Sequence, residues 1–256
     1  FMDRHGLNDY RDLIQRSAED IEWFWSEAEK ELRVEWFQPY SKVLDTSRGI
    51  EWARWFIDGR MNVAHNALDR HAASDAKDRV AFIWAGEDGA VERYTYGELH
   101  EEANRLANAL EGLGVGEGDP VALLLPMIPE TIVSLYAVLK VGAIVMPIFT
   151  GLGAPAIATR LASSGAKVLI TVDGTHRRGR VLRIKEDLDK AARSAPLLET
   201  VIVVKRAGVE VPWMEGRDIW WDDACSGQPA GYDTKPVDSE HPALFLYTSG
   251  TTGRPK

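Results

Sequence analysis

The stretch Val121-Ala-Leu-Leu-Leu-Pro-Met-Ile-Pro-Glu-Thr-Ile-Val-Ser-Leu-Tyr-Ala-Val-Leu-Lys-Val-Gly-Ala-Ile-Val-Met-Pro-Ile148 decides the fold. Its first five residues are an uninterrupted apolar run of strand length. Pro129 then opens a helix, where its missing N–H costs nothing, and Ile132, Leu135, Tyr136 and Leu139 recur on one helical face. Residues 143–148 return to a continuous apolar run. Two buried strands joined by a helix make a crossover, which leaves the strands parallel. The window 131–148 is the most apolar in the chain, but Ser134, Lys140, Gly142 and Pro147 interrupt it and its period changes midway. A buried helix followed by a strand explains it better than a membrane span.

The alternation continues in both directions. Downstream, residues 154–163 and 184–192 read as helices, and residues 167–171, 201–205 and 243–247 as strands. Upstream, residues 80–84 and 91–94 read as strands joined by a turn at 86–89, an antiparallel edge outside the parallel core. Thr95-Tyr-Gly-Glu98 is a capping box that opens a helix carrying Leu99, Ala103, Leu106, Ala107 and Leu110 at helical spacing; Gly112 and Gly114 close it. The pattern predicts an α/β fold over residues 78–256, a mostly parallel sheet clothed by helices on both faces, with a turn-rich excursion over 208–240. Residues 1–77 are expected to be an aromatic-rich helical arm, with one helix from about Ser17 and another from Asn62. Trp23 and Trp25 lie too close in sequence to share a helical face, so they should pack against different neighbours.

Composition narrows the function classes. With 45% hydrophobic and 27% charged residues in 256, the chain can bury a large core. A net charge of -9 argues against wrapping a nucleic-acid backbone, although a local basic patch can still take a small anion. The single cysteine, Cys225, excludes an intrachain disulfide framework and fits a reducing, cytoplasmic setting. No apolar secretion signal stands at the amino end. His5, His65, His71, His100, His176 and His241 show neither HExxH nor paired ligand spacing, so no metal site is expected in this chain. Five of the nine tryptophans fall within the first 55 residues beside other apolar groups, where packing is their expected use.

A parallel sheet offers ligands the crevice beyond the carboxyl ends of its strands. Three segments leave such ends with unusual composition: Phe149-Thr-Gly-Leu-Gly153, Asp173-Gly-Thr-His-Arg-Arg-Gly-Arg180, and the stretch after the strand at 243–247. The second, with Arg183 and Lys185, sets five cations in nine positions, either as a grip on phosphate or as a solvated rim. The third is Thr248-Ser-Gly-Thr-Thr-Gly-Arg-Pro-Lys256. Its glycines can turn backbone N–H groups toward an anion, its hydroxyls donate, and Arg254 and Lys256 supply charge. Pro255 speaks against a helix starting at the lysine, so this loop should lie between strands and not over a helix end. A hydroxyl-rich turn facing water is the competing reading. GxSxG is absent around Ser249.

Leu246-Tyr-Thr-Ser-Gly-Thr-Thr-Gly-Arg-Pro-Lys256 resembles the phosphate loop of the AMP-forming adenylating enzymes. Residues 55–71, Leu125-Pro-Met-Ile-Pro-Glu130, Ala166-Lys-Val-Leu-Ile-Thr171 with the arginine cluster after it, and Gly216-Arg-Asp-Ile-Trp-Trp221 resemble the acetyl-CoA synthetase branch. The resemblance runs over nearly the whole chain. It implies that ATP and Mg2+ activate a small carboxylic acid to an acyl-adenylate, whose acyl group then passes to coenzyme A. It implies that Thr248, Ser249, Gly250, Thr251, Thr252, Gly253 and Lys256 hold the ATP phosphates, and that Arg177 and Arg180 hold the nucleotide part of CoA. It also sets Gly151, within residues 149–153, along the pantetheine approach; Leu152 and Gly153 depart from the branch's usual Phe-Ser-Gly-Phe-Ser, which unsettles an acetate preference.

By the same resemblance the chain is expected to be the amino-terminal portion of the large domain, incomplete at its carboxyl end. Acyl pocket, hinge and catalytic lysine would then lie beyond Lys256, and the chain alone would be inactive. Two rival readings stay open: an adenylating enzyme that loads another acceptor, and a non-catalytic nucleotide- or anion-binding module. The oligomeric state is not legible.

Overall fold

The computed structural model describes residues 1–87 and 89–248. The chain divides into two compact units, residues 1–62 with 236–241, and residues 63–235 with 242 onward.

In the first unit, α1 (Tyr10–Glu19) and α2 (Ile21–Glu31) are separate helices, each with its own aspartate cap. Asp9 accepts the N–H groups of Arg11 and Asp12 at 2.7 and 3.0 Å, and Asp20 accepts that of Trp23 at 2.9 Å. The helix expected from Ser17 therefore begins at Tyr10 and breaks at Asp20. Ser17 sits in the last turn of α1 with its hydroxyl bonded to the Ile14 carbonyl, and an aspartate in extended backbone caps the helix instead. Trp25 meets Trp55 edge-on at 5.9 Å, whereas Trp23 meets His5 at 5.3 Å with Arg16 over its ring, so the two tryptophans do face different neighbours.

Strands β1 (Lys42–Asp45) and β2 (Arg54–Ile57) pair antiparallel, and β3 (Arg60–Met61) pairs with a short strand at Val237–Asp238. Trp36, Tyr40 and Phe56 form a ring cluster with centroids 5.1 to 5.3 Å apart. Gly59 is required beside it, because a Cβ there would stand 2.7 Å from the Trp36 ring and 2.8 Å from the Phe56 carbonyl oxygen.

The second unit opens with a π-helical turn at His65–Asp69 running into α3 (Arg70–Ala72). Strands β4 (Val80–Ala85) and β5 (Val91–Thr95) form their own two-stranded sheet and do not border the parallel one. Thr95 and Glu98 make the capping box of α4 (Tyr96–Gly112). Then come β6 (Pro120–Leu124), α5 (Pro129–Lys140), β7 (Ile144–Pro147), α6 (Ala154–Ser164) and β8 (Val168–Val172). A hairpin of β9 (Thr175–Arg177) and β10 (Arg180–Leu182) precedes α7 (Ile184–Ala192), β11 (Thr200–Val204), β12 (Asp218–Trp220) and α8 (Trp221–Cys225).

Five strands form one parallel sheet in the order β12-β11-β8-β6-β7. Right-handed crossovers in that order put α5 on one face and α6 with α7 on the other. Central β8 is buried along its whole length, as its unbroken apolar run requires. The chain steps from β6 to β7 on one side and then to β8 on the other, so the carboxyl ends of β6 and β8 flank the point where the direction of winding reverses.

The stretch at 243–247, expected as a buried strand, makes a single parallel bridge among the described residues, Leu244 to Val145. It lies at the outer side of β7, so Leu244, Phe245 and Leu246 remain 44 to 64% exposed. No helix among the described residues is long and apolar enough to cross a membrane. Cys225 is buried, and burial pushes its thiol up to about 12.

Candidate functional site

The arginine-rich segment leaves the carboxyl end of β8, the middle strand of the sheet, and folds back on itself as β9 and β10. Its two-residue connection is Arg178-Gly179, with φ of 52° and 70°. Positive φ at both positions makes a type I′ turn, whose twist matches the flanking strands. The turn places Arg177 and Arg180 opposite each other as cross-strand partners, with His176 and Val181 paired on the alternate face. Arg-x-x-Arg spacing in a two-residue hairpin thus becomes a pair of neighbouring guanidiniums.

The five cations of this region part company in the structure. Lys185 is fully buried and donates to Asp189 at 2.8 and 2.9 Å, to Asp218 at 2.8 Å and to the Pro212 carbonyl at 3.2 Å. Arg217 joins this knot through Asp218 and Asp189, both at 2.6 Å. Burial alone would push the Asp218 carboxyl up, but hydrogen bonds from Arg217 and Lys185 outweigh it and hold the group below its ordinary range. Arg183 pairs with Glu186 at 3.0 Å. Lys185 is therefore spent inside the protein and Arg183 in an exposed ion pair on α7, which corrects the reading of one five-cation cluster. Arg177 and Arg180 have no carboxylate partner among the described residues. Like charges set opposite each other in a hairpin repel, so the pair is suited to an anion that offsets the repulsion.

Gly151 belongs to the same place. It follows β7, and a Cβ built on it would stand 3.6 Å from Nη1 of Arg177. Phe149 beside it is 81% exposed. The structure thus brings three expected residues, Gly151, Arg177 and Arg180, to the carboxyl edge of the sheet.

Thr248 is the last described residue of the hydroxyl-rich loop. The N–H of Val145 donates to the Ala243 carbonyl at 3.0 Å, and that of Phe245 to the Val145 carbonyl at 2.8 Å. Continued, this parallel register sets Thr248 level with Phe149, at the same carboxyl edge. Tyr247 anchors the stretch to α6: its hydroxyl shares a 2.5 Å hydrogen bond with that of Ser163, and the Arg160 guanidinium lies 5.3 Å over its ring. Ser249, Gly250, Thr251, Thr252, Gly253 and Lys256, the rest of the expected phosphate grip, lie outside the described residues.

Sequence reasoning missed Glu130. It sits in the first turn of α5 at the carboxyl end of β6, where burial raises its carboxyl above the ordinary range and one oxygen has no hydrogen-bond partner. Nearby, Trp84 donates its indole N–H to the Met127 carbonyl at 2.7 Å and carries the Arg206 guanidinium 4.3 Å over its ring. A glutamate after a proline at a helix start reads as a solvated first-turn acid, so only the fold reveals its burial. Among the described residues, no three His, Cys, Asp or Glu side chains converge to hold a metal. His65 and His100 instead approach the Asp69 carboxylate at 3.8 and 3.5 Å, beside the buried ammonium of Lys140.

Comparison with known proteins identifies the family. Residues 68–256 match the family described as AMP-binding enzyme, and residues 10–67 match that described as acetyl-coenzyme A synthetase N-terminus. The chain is 41% identical over 257 residues to an acetyl-coenzyme A synthetase of Methanothrix thermoacetophila, covering 100% of this chain and 38% of that protein. It is 43% identical over 249 residues to one of Deinococcus radiodurans, covering 97% of this chain and 38% of the relative. The structure of acetoacetyl-CoA synthetase from Streptomyces lividans superposes with a TM-score of 0.88 at 30% identity, over 97% of this chain and 37% of that one. The chain thus spans about 38% of the length of these curated relatives. With the family match running from residue 68 to residue 256, the chain belongs to the AMP-binding enzyme family and carries an amino-terminal segment of the acetyl-coenzyme A synthetase kind.

Proposed function

We propose that the protein takes part in ATP-dependent activation of a small carboxylic acid to an acyl-adenylate, followed by transfer of the acyl group to coenzyme A. The observation that carries this reading is the cross-strand pair Arg177 and Arg180 at the carboxyl edge of the parallel sheet, with Arg177 reaching Gly151. A guanidinium fork matches a phosphate's oxygens in pairs, and two forks on one hairpin face suit the phosphorylated nucleotide end of CoA. Gly151 leaves room for the Arg177 side chain and for a slender chain running past it. A carrier protein would offer this pair only the single phosphodiester of its phosphopantetheine arm, whereas CoA adds the charge of a phosphorylated nucleotide, which favours CoA as acceptor.

In this reading Thr248, Ser249, Gly250, Thr251, Thr252, Gly253 and Lys256 hold the ATP phosphates. Their hydroxyls, N–H groups and ammonium would offset the charge that gathers on departing pyrophosphate and keep the carboxylate in line with the α-phosphate. Mg2+ would arrive with the nucleotide and supply further charge neutralisation when bound. Residues 1–77 would form the amino-terminal arm and residues 78–256 the first part of the AMP-binding domain, in a cytoplasmic enzyme.

Pyrophosphate exchange and acyl transfer to CoA, measured separately on the intact protein as its gene encodes it, test the assignment. Lys256→Ala should lower exchange about 100-fold, the size of one lost oxyanion donor, with the KM for CoA little changed. Arg177→Ala with Arg180→Ala should raise that KM about 100-fold with exchange little changed, at about 1.4 kcal/mol for each charge-assisted contact. Equal damage to both steps from each change would refute it.

A further inference from the structure

The hairpin that bears Arg177 and Arg180 is fastened at both ends. At its base stands Asp173, 1% exposed, with no cationic partner among the described residues. Its Oδ1 accepts the N–H groups of Gly174 at 2.7 Å, Arg206 at 2.8 Å and Ala207 at 2.9 Å, and its Oδ2 accepts that of Val209 at 3.0 Å. Backbone N–H groups thus give this carboxylate four hydrogen bonds, three of them gathered on Oδ1. Its own backbone belongs to the sheet, since the Asp173 N–H donates to the Val204 carbonyl at 3.0 Å. One buried side chain therefore ties the carboxyl end of β8, the first residue of the hairpin arm and the loop after β11 into a single knot. Gly174 keeps that base closed: a Cβ there would lie 2.8 Å from the Leu182 carbonyl oxygen, at the far end of the returning strand. At the tip, the Arg178 N–H donates to the Glu87 carboxylate in the β4–β5 turn at 2.8 Å.

Neither acid touches the exposed face of the hairpin on which the two arginines stand. A free two-stranded hairpin is marginal in water, so holding two repelling guanidiniums in one orientation needs such fastening. The geometry points to Asp173 and Glu87 as positioning residues that fix the arginine hairpin in the attitude that receives the 3′-phosphorylated nucleotide of coenzyme A. This rests on the reading of Arg177 and Arg180 as CoA-binding residues. Preorganisation of this kind strengthens binding by removing the ordering cost that a loose hairpin would meet on each encounter.

The test compares CoA with dephospho-CoA, which lacks the 3′-phosphate, as acyl acceptors for the intact protein, with pyrophosphate exchange as internal control. Asp173→Asn, which turns an all-acceptor group into one that also donates, should raise the KM for CoA about tenfold. Glu87→Ala, at an exposed turn that does not threaten folding, should raise it about threefold. In both, the preference for CoA over dephospho-CoA should shrink toward unity while exchange stays within twofold. Loss of exchange in parallel with CoA use would mark a merely structural role and overturn the proposal. If the Arg177→Ala, Arg180→Ala double variant itself leaves the KM and preference intact, the CoA reading fails. If that variant loses both while Asp173→Asn and Glu87→Ala keep them, the CoA reading stands and the positioning role falls. Should Asp173→Asn not fold, an unchanged preference in Glu87→Ala is enough to overturn it.

Discussion

Gly151 shows how much one missing side chain can determine. A methyl group there would meet Arg177 Nη1 at 3.6 Å, an ordinary contact, so under the proposed function Gly151→Ala should leave CoA use within about twofold of the parent. A branched side chain reaches further, and Gly151→Val should displace the guanidinium and raise the KM for CoA about tenfold, near 1.4 kcal/mol. Acceptor kinetics on the two variants check the contrast. Arg178 offers a second residue-scale expectation. It holds φ of 52°, a conformation that asparagine tolerates better than arginine, so Arg178→Asn should raise the melting temperature or leave it unchanged. Arg177, Arg180 and Gly151 were singled out by the family resemblance, since the charge pattern by itself left a solvated rim equally open; their meeting at one edge of the sheet is visible only in the fold. Lys185 was misread because charge alone does not reveal depth. Only Asp189 and Asp218, four and thirty-three residues away, turn it from surface cation into buried knot.

At the scale of elements, Thr95 and Glu98 are a local signal that the fold keeps. Thr95 accepts the Glu98 N–H at 3.2 Å and its own N–H donates to the Glu98 carboxylate at 2.8 Å. Thr95→Ala should cost about 1 kcal/mol, read as a lower denaturation midpoint with an unchanged slope. The helices and parallel strands between 120 and 204 were readable because each carries a period of its own and enough residues to show it. Strand β12 and the β9–β10 hairpin escaped because three-residue strands hold no period, and an arginine run resembles a loop. The stretch at 243–247 misled in the opposite sense. Its apolar run promised burial, but apolar residues at a sheet's margin are covered on one side only.

Across the second unit, the Lys185, Asp189, Arg217 and Asp218 knot ties α7 to the start of β12 and makes stability depend on acid. The folded state holds the Asp218 carboxyl below its ordinary value of 3.8, so its contribution is complete above about pH 4 and is lost as pH falls through the folded value. Asp218→Asn should lower stability by about 3 kcal/mol near neutrality, because it strips a partner from a buried ammonium, and should flatten the fall in melting temperature below pH 4. Thermal melts at pH 3 to 7 give both readings. Lys140 is sealed as completely as Lys185, bonded to Asp69 and to nothing outside the fold. These two amines give the unit a built-in gauge of its own opening. A reagent that labels solvent-facing lysines within minutes should reach Lys140 and Lys185 only as fast as the unit comes apart, so their labelling rates, read by mass spectrometry, time its unfolding without any added probe.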